Sequence, residues 1–375
     1  MIQQTQYTPT TSKYNFPQGS TLEDSALPQR FIELSLRSIK NIQNNDATLY
    51  QPYQITTDES AIANPSEDVT PTFLGQATLH LNTIPLKPLP TEIPIVAVDV
   101  SSIKIGETIT GMLIAIRGAI IWKQQPSQYR YLRIGPFPFH ITEENKTEIY
   151  QLFRQYSFDT PENSLNASAP SLIHMQTRMT TLLERWLQMI IASQSQNSLI
   201  LWDGSLTAGT SDSPIHIVAQ LLETARNRLN TVLAFSKVTR LRLSGHRLTD
   251  LIEGCKPPCL LEMDGYPIAP AGNIRFLGNI YIAKLSEGNC SFRLDVDRKL
   301  QREQATEALQ RLIANDLVSE SYPETLRLAH IYSTFTANEV IAIQRFLAQR
   351  HGLKTITKLN IRRLLFGPFG KGPEG

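Results

Sequence analysis

Cysteine is scarce in this chain, with three in 375 residues at positions 255, 259 and 290. Three cannot close a disulfide framework. Cys255 and Cys259, separated by Lys256-Pro257-Pro258, offer two ligands where a structural zinc site takes four. Long apolar runs are also missing, and none approaches the roughly 20 residues of a membrane span. Met1 to Gln18 is polar and rich in Thr and Gln, without the apolar core of a secretory signal. The expectation is a reduced, cytoplasmic protein with no membrane partner. Charge of one sign is lacking too: 36 Lys and Arg face 34 Asp and Glu, a net +2. Composition therefore gives no argument for nucleic-acid binding, and any basic surface has to be local. There is no internal repeat. At 41% hydrophobic residues the chain has ample material for a core.

What is there is a pair of short apolar β-type runs, each stopping at an aspartate. Ile93-Pro94-Ile95-Val96-Ala97-Val98 ends at Asp99. Ser198-Leu199-Ile200-Leu201-Trp202 ends at Asp203, followed by Gly204-Ser205-Leu206. Such a strand can be buried on both faces, and its terminal carboxylate then has to find a partner. Two of them side by side at strand ends make a natural site for a divalent cation.

Around these strands the pattern predicts an α/β chain. Residues 1 to about 28, polar and rich in Pro, Thr and Gln, read as a weakly ordered lead-in. Gln29 to Gln43 carries Phe31, Leu34, Leu36, Ile39 and Ile42 near helical spacing and predicts an amphipathic helix. The proline-studded stretch from Asp46 to Thr91 predicts a connector or wrapping segment. We take 1–90 as a polar N-terminal segment, 91–355 as the main domain and 356–375 as a tail. Within the domain, the strand to Asp99, one or two strands over Gly111 to Lys123, and Tyr129 to Ile134 predict an antiparallel meander. A helix over Thr142 to Tyr156, a polar loop over 157–171 and a helix over Met175 to Ala192 lead to the second Asp-terminated strand. A helix over Pro214 to Leu229 and a strand over Thr231 to Phe235 come next. A hairpin (Tyr281 to Leu285, Ser291 to Val296) and helices over Arg302 to Asn315 and Ala337 to Gln349 close the chain, with Thr336 and Glu339 as a capping box. Meander, helix, strand, helix, strand is the order of a ribonuclease H-like fold, a mixed central sheet flanked by helices. Order of elements alone does not fix function.

Phosphodiester hydrolysis needs a metal to polarise the phosphate and activate water, and Mg²⁺ or Mn²⁺ prefers oxygen ligands. Asp99 and Asp203 are the first two candidates. Glu184 is the third, on the helix leading into the second strand between Leu182, Leu183, Trp186 and Leu187; the competing reading is an ordinary glutamate on a helix flank. Taken alone, Asp203 in Asp-Gly-Ser also reads as a turn residue. His330 is a candidate to contact phosphate, bind metal or shuttle a proton, against the commoner satisfied structural histidine. Tyr322, before Pro323, offers either a hydroxyl to the phosphate or a ring packed beside a turn proline. Lys237, with Arg240, Arg242 and Arg247 after it, forms the densest local basic patch. Such a patch suits sequence-independent phosphate contacts, with a solvated basic loop as the alternative.

Taken in order, these motifs resemble the NurA nuclease family. Its pattern is an Asp closing the first strand (Asp99), a helical Glu (Glu184) and a strand closing on Asp-Gly-Ser-Leu (Asp203-Gly204-Ser205-Leu206). A strand ending in Ser-Lys (Ser236-Lys237), a late Tyr (Tyr322) and Ala-His (Ala329-His330) complete it. The resemblance spans roughly residues 93–350 and departs at Val100, where the family usually has Gly. It implies a ribonuclease H-like fold and a Mn²⁺-dependent exo- and endonuclease acting on DNA, with Mg²⁺ as the other candidate metal. It also implies a homodimer working with a HerA-type hexameric ATPase in end resection and double-strand-break repair. Asp99, Glu184 and Asp203 would hold the metal, and His330, Tyr322 and Lys237 would contact the scissile phosphate. A catalytically silent DNA-binding or ATPase-docking homologue is the alternative from another class, and an RNA-directed nuclease on the same fold is a third reading.

Overall fold

A computed structural model of the chain describes residues 2–4, 27–40, 42, 46–49, 83–125, 128–158, 168–239, 241–243, 245–264, 266, 270 and 272–356. Its centre is a twelve-stranded mixed sheet. Eight strands carry it: β1 (Ile95–Thr108), β2 (Gly111–Gln125), β3 (Gln128–Thr142), β4 (Leu199–Asp203), β5 (Thr231–Ser236), β6 (Cys259–Glu262), β7 (Gly278–Lys284) and β8 (Phe292–Asp297). They lie in the order β3-β2-β1-β4-β5-β8-β7-β6. The trio β1, β4 and β5 is parallel. All other neighbours among the eight are antiparallel, including the expected meander β1-β2-β3. Seven helices flank the sheet: α1 (Leu27–Lys40), α2 (Lys146–Phe158), α3 (Leu172–Gln194), α4 (Ile215–Asn227), α5 (Arg302–Asn315), α6 (Glu324–Ser333) and α7 (Ala337–His351).

The apolar strands are covered on both faces, and their period of two sorts each residue to one side. Val96, Val98, Ile200, Trp202, Val232 and Ala234 face the layer built by α1 to α4. Ile95, Ala97, Leu199, Leu201, Leu233 and Phe235 face the layer that holds α5 and α6. Helix α3 buries Met175, Met179, Leu182, Leu183, Trp186 and Leu187, a stripe at the three- and four-residue spacing of one helix face. Phe31 of α1 meets Trp186 edge-on at 5.2 Å, so the amphipathic N-terminal helix belongs to the main core. Burying a side chain of this size contributes about 2–3 kcal/mol.

Several expectations change. The first strand does not stop at Asp99 but continues to Thr108, because Ile103 and Ile105 pack with Leu113 and Ala115 beneath Val340 and Leu347 of α7. Gly111 to Gln125 is a single strand. The stretch from 46 to 91 is more than a connector: Asp46–Leu49 pairs with β1 and Thr83–Pro85 with β6. Residues 324–333 form a helix that periodicity had not suggested. The capping box of Thr336 and Glu339 is formed. The lead-in over 1–28, the loop over 157–171 and the tail over 356–375 fall largely outside the described residues. Among the described residues no helix is long and apolar enough to cross a membrane.

One buried group makes the fold acid-sensitive. His140 of β3 is 3% exposed, its Nε2 hydrogen-bonded to Thr108 Oγ1 at 2.9 Å, and burial pushes its pKa down to about 4. The unfolded chain takes up this proton near the ordinary value of about 6.5, the folded chain only near 4. Its contribution is therefore intact above pH 6.5 and falls by up to about 3 kcal/mol on acidification to pH 4. Denaturation midpoints of His140→Gln should show a flatter pH slope than wild type over that window; parallel slopes would refute the assignment.

Candidate metal centre

Strand pairing alone brings the two aspartates together. β1 and β4 run parallel with Val98 level with Trp202, so the next residues, Asp99 and Asp203, stand side by side. Both follow the odd-numbered positions that face the α5–α6 layer. Helix α6 crosses that face and carries His330. One ligand atom each from Asp99, Asp203 and His330 lie within 4.8 Å of one another. His330 Nδ1 is 3.1 Å from Asp99 Oδ2. Ser333, three residues on and on the same helix face, donates its hydroxyl to the same oxygen at 2.6 Å. Lys237, just past the end of β5, sets its Nζ 2.6 Å from Asp203 Oδ2 and 5.7 Å from the centre of the Tyr322 ring.

The turn after Asp203 is tightly specified. Gly204 takes φ +115°, a conformation costly for side-chain-bearing residues, and its N–H donates to the Phe235 carbonyl at 2.7 Å. Leu206 N–H donates to Asp295 Oδ2 at 3.0 Å. Asp295 is itself gripped by Arg293 through Nε at 2.7 Å and Nη2 at 2.8 Å, both side chains fully buried. Val100 is accommodated by the same economy of space. β1 stays extended there, so no glycine-like backbone is required, and Gly118 lies opposite. A Cβ at Gly118 would meet Leu187 Cδ1 at 2.5 Å.

Charge is crowded at this centre. Burial pushes the Asp203 carboxyl up, with Asp99 adding repulsion and Lys237 pulling the other way. At Asp99 burial also acts upward, but hydrogen bonds and charge from His330, the Ser333 hydroxyl and Lys237 outweigh it and hold its pKa low. His330 is raised, chiefly by its hydrogen bond to Asp99. Glu184 comes from α3, on the opposite face of the sheet, which is why it borders the tight group instead of joining it. Its Oε1 accepts from Gln188 Nε2 at 3.0 Å. Burial first, then Asp99 and Asp203, push its pKa up to about 8 against the pull of Arg185 and Lys237.

The structure thus brings Asp99, Asp203 and His330 together and sets Glu184, Lys237 and Tyr322 around them. Arg240 lies outside the described residues. Arg242 is exposed on a two-stranded ribbon opposite Arg247, donating to the Gly245 carbonyl at 2.9 Å. Sequence reasoning missed Ser333 and Asp295. The spacing of Ser333 from His330 was the available signal, once 324–333 is read as a helix. Ser333→Ala should cost about 1–3 kcal/mol in urea denaturation, because Asp99 would keep its burial and lose a donor; an unchanged midpoint would refute the bond.

A family model described as the NurA domain matches residues 94–333. Among solved structures, the chain is similar to the NurA nuclease from Sulfolobus solfataricus, at 16% identity and TM-score 0.48, over 71% of this chain and 86% of that one. It is similar at lower level to endonuclease V from Bacillus subtilis, at 11% identity and TM-score 0.33, over 72% of this chain and 89% of that one. The catalytic domain of human endonuclease V stands at 11% identity and TM-score 0.32, over 72% and 92% respectively. No curated protein matches the chain.

Proposed function

The chain belongs to the NurA family, and we propose that it is a metal-dependent nuclease that hydrolyses DNA at the Asp99–Asp203–His330 centre. The convergence of those three side chains within 4.8 Å carries the proposal. Two carboxylates and an imidazole are a donor set that Mn²⁺ accepts, with Mg²⁺ the harder alternative. The Lys237 ammonium against Asp203 supports the same conclusion: the pair demands a nearby positive charge. When bound, a divalent cation polarises the scissile phosphate and lowers the pKa of water.

The chain's own residues do the rest. Ser333 and His330 hold the Asp99 carboxylate in one orientation. Glu184 adds a third carboxyl from the α3 side, where it would complete the ligand set once a bound cation offsets the burial and the charge of Asp99 and Asp203 that keep it protonated. Lys237 is close enough to the carboxylates to draw in a phosphate oxygen. The Tyr322 hydroxyl is buried with no partner among the described residues, so its donor is available to a phosphate. The order β3-β2-β1-β4-β5, with α3 before β4 and α4 before β5, supports the ribonuclease H-like reading. We include in the proposal a homodimer and a HerA-type ATPase partner in end resection, both carried by the family resemblance.

The test is cleavage of end-labelled single- and double-stranded DNA and of RNA by the purified chain. With Mn²⁺ we expect DNA cleavage that chelation abolishes and metal restores. No cleavage with any divalent cation would leave a silent DNA-binding subunit, and preference for RNA would overturn the substrate.

A further inference from the structure

Beside the metal centre a polar cleft opens along α3. It shares Glu184, Asp203 and Gly204 with the centre and runs on past Arg185, Thr181 and Arg178. We propose that this cleft is a phosphate subsite for the DNA strand entering the centre, with Arg178 its principal ligand and Arg185 the second. The proposal rests on the nuclease reading above and adds to it where the strand lies.

The cleft is built to present positive charge. Asp212 is 1% exposed, and both of its oxygens are taken: Tyr150 donates its hydroxyl to Oδ1 at 2.6 Å, and Arg178 Nη1 donates to Oδ2 at 2.7 Å. The Arg178 side chain above it is 30% exposed. The negative end of the pair is sealed into the core and the positive end looks outward, anchored in one place. A guanidinium has five N–H donors in a rigid fork, so one bond to Asp212 leaves donors for a phosphate. Arg185 is fixed in the same manner, Nε donating to Ser213 Oγ at 2.9 Å and Nη1 to Gln188 Oε1 at 2.6 Å. The two anchors are consecutive residues of one loop, closed by Gly209 N–H on the Ser213 carbonyl at 2.8 Å.

Spacing and lining identify the ligand. Arg178 and Arg185 are two helical turns apart on one face, about 10 Å along the axis at 1.5 Å per residue. A strand in duplex geometry advances about 3.4 Å along the helix axis per nucleotide and a stretched single strand advances further, so the span exceeds one nucleotide and each guanidinium meets its own phosphate. A base would need an open aromatic face. The aromatic ring of this cleft, Trp202, is 1% exposed and carries the Arg185 guanidinium 5.7 Å from its centre. The hydroxyls of Thr177 and Ser205 add to a lining suited to phosphate oxygens, while that of Thr181 donates to the Thr177 carbonyl at 3.1 Å. With a net charge of only +2, strand affinity has to come from such local sites.

The experiment measures binding of a fluorescein-labelled single-stranded oligonucleotide to the full chain without divalent cation, across a salt titration. It is paired with cleavage of oligonucleotides carrying one uncharged methylphosphonate at successive positions. For Arg178→Gln we expect roughly tenfold weaker binding and a log–log salt slope shallower by about 0.7. One methylphosphonate position should slow wild-type cleavage and make no difference to the variant. Arg178→Gln leaves Asp212 buried without its cation, so Arg178→Gln/Asp212→Asn, which removes that charge, is measured alongside and is expected to bind equally weakly. Wild-type affinity and slope in the folded double variant would overturn the subsite, as would a wild type that binds no DNA. Binding that depends on Arg178 in a wild type that never cleaves would uphold the subsite and overturn hydrolysis, so the two readings fail separately.

Discussion

Asp203→Asn is expected to lower DNA cleavage at least ~1000-fold, roughly 4 kcal/mol of transition-state stabilisation, while leaving thermal stability unchanged or raised. The two halves of this result have one cause. Asp203 sits beside Asp99 on adjacent strands, and burial together with that neighbour makes its charged form costly to the folded state. Asn keeps the shape and removes the charge. Its partner Lys237 has a side chain 39% exposed and regains water, so its loss of an ion pair costs little. Residues kept for chemistry commonly oppose stability in this way. The measurements are initial rates with Mn²⁺ and a melting temperature without it. Near-normal cleavage would remove Asp203 from the centre, and a large drop in melting temperature would mean that its charge supports the fold.

Asp295→Ala should have the largest effect on stability, a loss of about 3–5 kcal/mol in urea denaturation. Arg293 would stay fully buried without its carboxylate, and the Leu206 N–H would lose its acceptor. Replacing both charges, as in Arg293→Met/Asp295→Leu, should recover most of that loss, since a buried ion pair and well-packed apolar groups of similar volume are often close in stability. Cleavage should not recover with it. The turn from Asp203 to Leu206 would still lack its anchor, and an outer partner of this kind is typically worth 10–100-fold in metal affinity or activity. A double variant with wild-type cleavage would show that Asp295 supports the fold alone. A stable Asp295→Ala would show that the buried pair contributes nothing.

Much of this arrangement is legible in the sequence, for a physical reason. Unbroken apolar runs in Ile95 to Val98 and Leu199 to Trp202 identify strands buried on both faces, and an aspartate ending such a run is conspicuous. The capping box at Thr336 was equally plain, because it depends on residues three apart. What stayed hidden depended on partners distant in sequence. Asp99 read as a strand end, and its strand continues because Ile103 and Ile105 find Val340 and Leu347 more than two hundred residues away. Helix α6 was missed because its apolar residues face a layer that local pattern cannot foresee, and Ser333 was missed with it. Glu184 lies beside the two aspartates, close enough for their charge to raise its pKa, but no local pattern tells which face of the sheet its helix covers. Arg178 drew no notice because its meaning comes from Asp212 and Tyr150, far from it in sequence.

The strand that runs through Asp99 has a consequence for how such a centre would breathe. Asp99 sits mid-ladder, its backbone level with Ala119 of β2 and the pairing continuing on both sides. Asp203 closes its strand, Lys237 lies just past the end of another, and His330 rides on a ten-residue helix near its C-terminus. Amide hydrogen exchange should therefore divide the centre by lifetime: the Asp99 region opens only with global unfolding, while the amides around Lys237 and the last turn of α6 open in smaller, cheaper fluctuations. A cation would then enter and leave by motion of its later ligands around one that does not move.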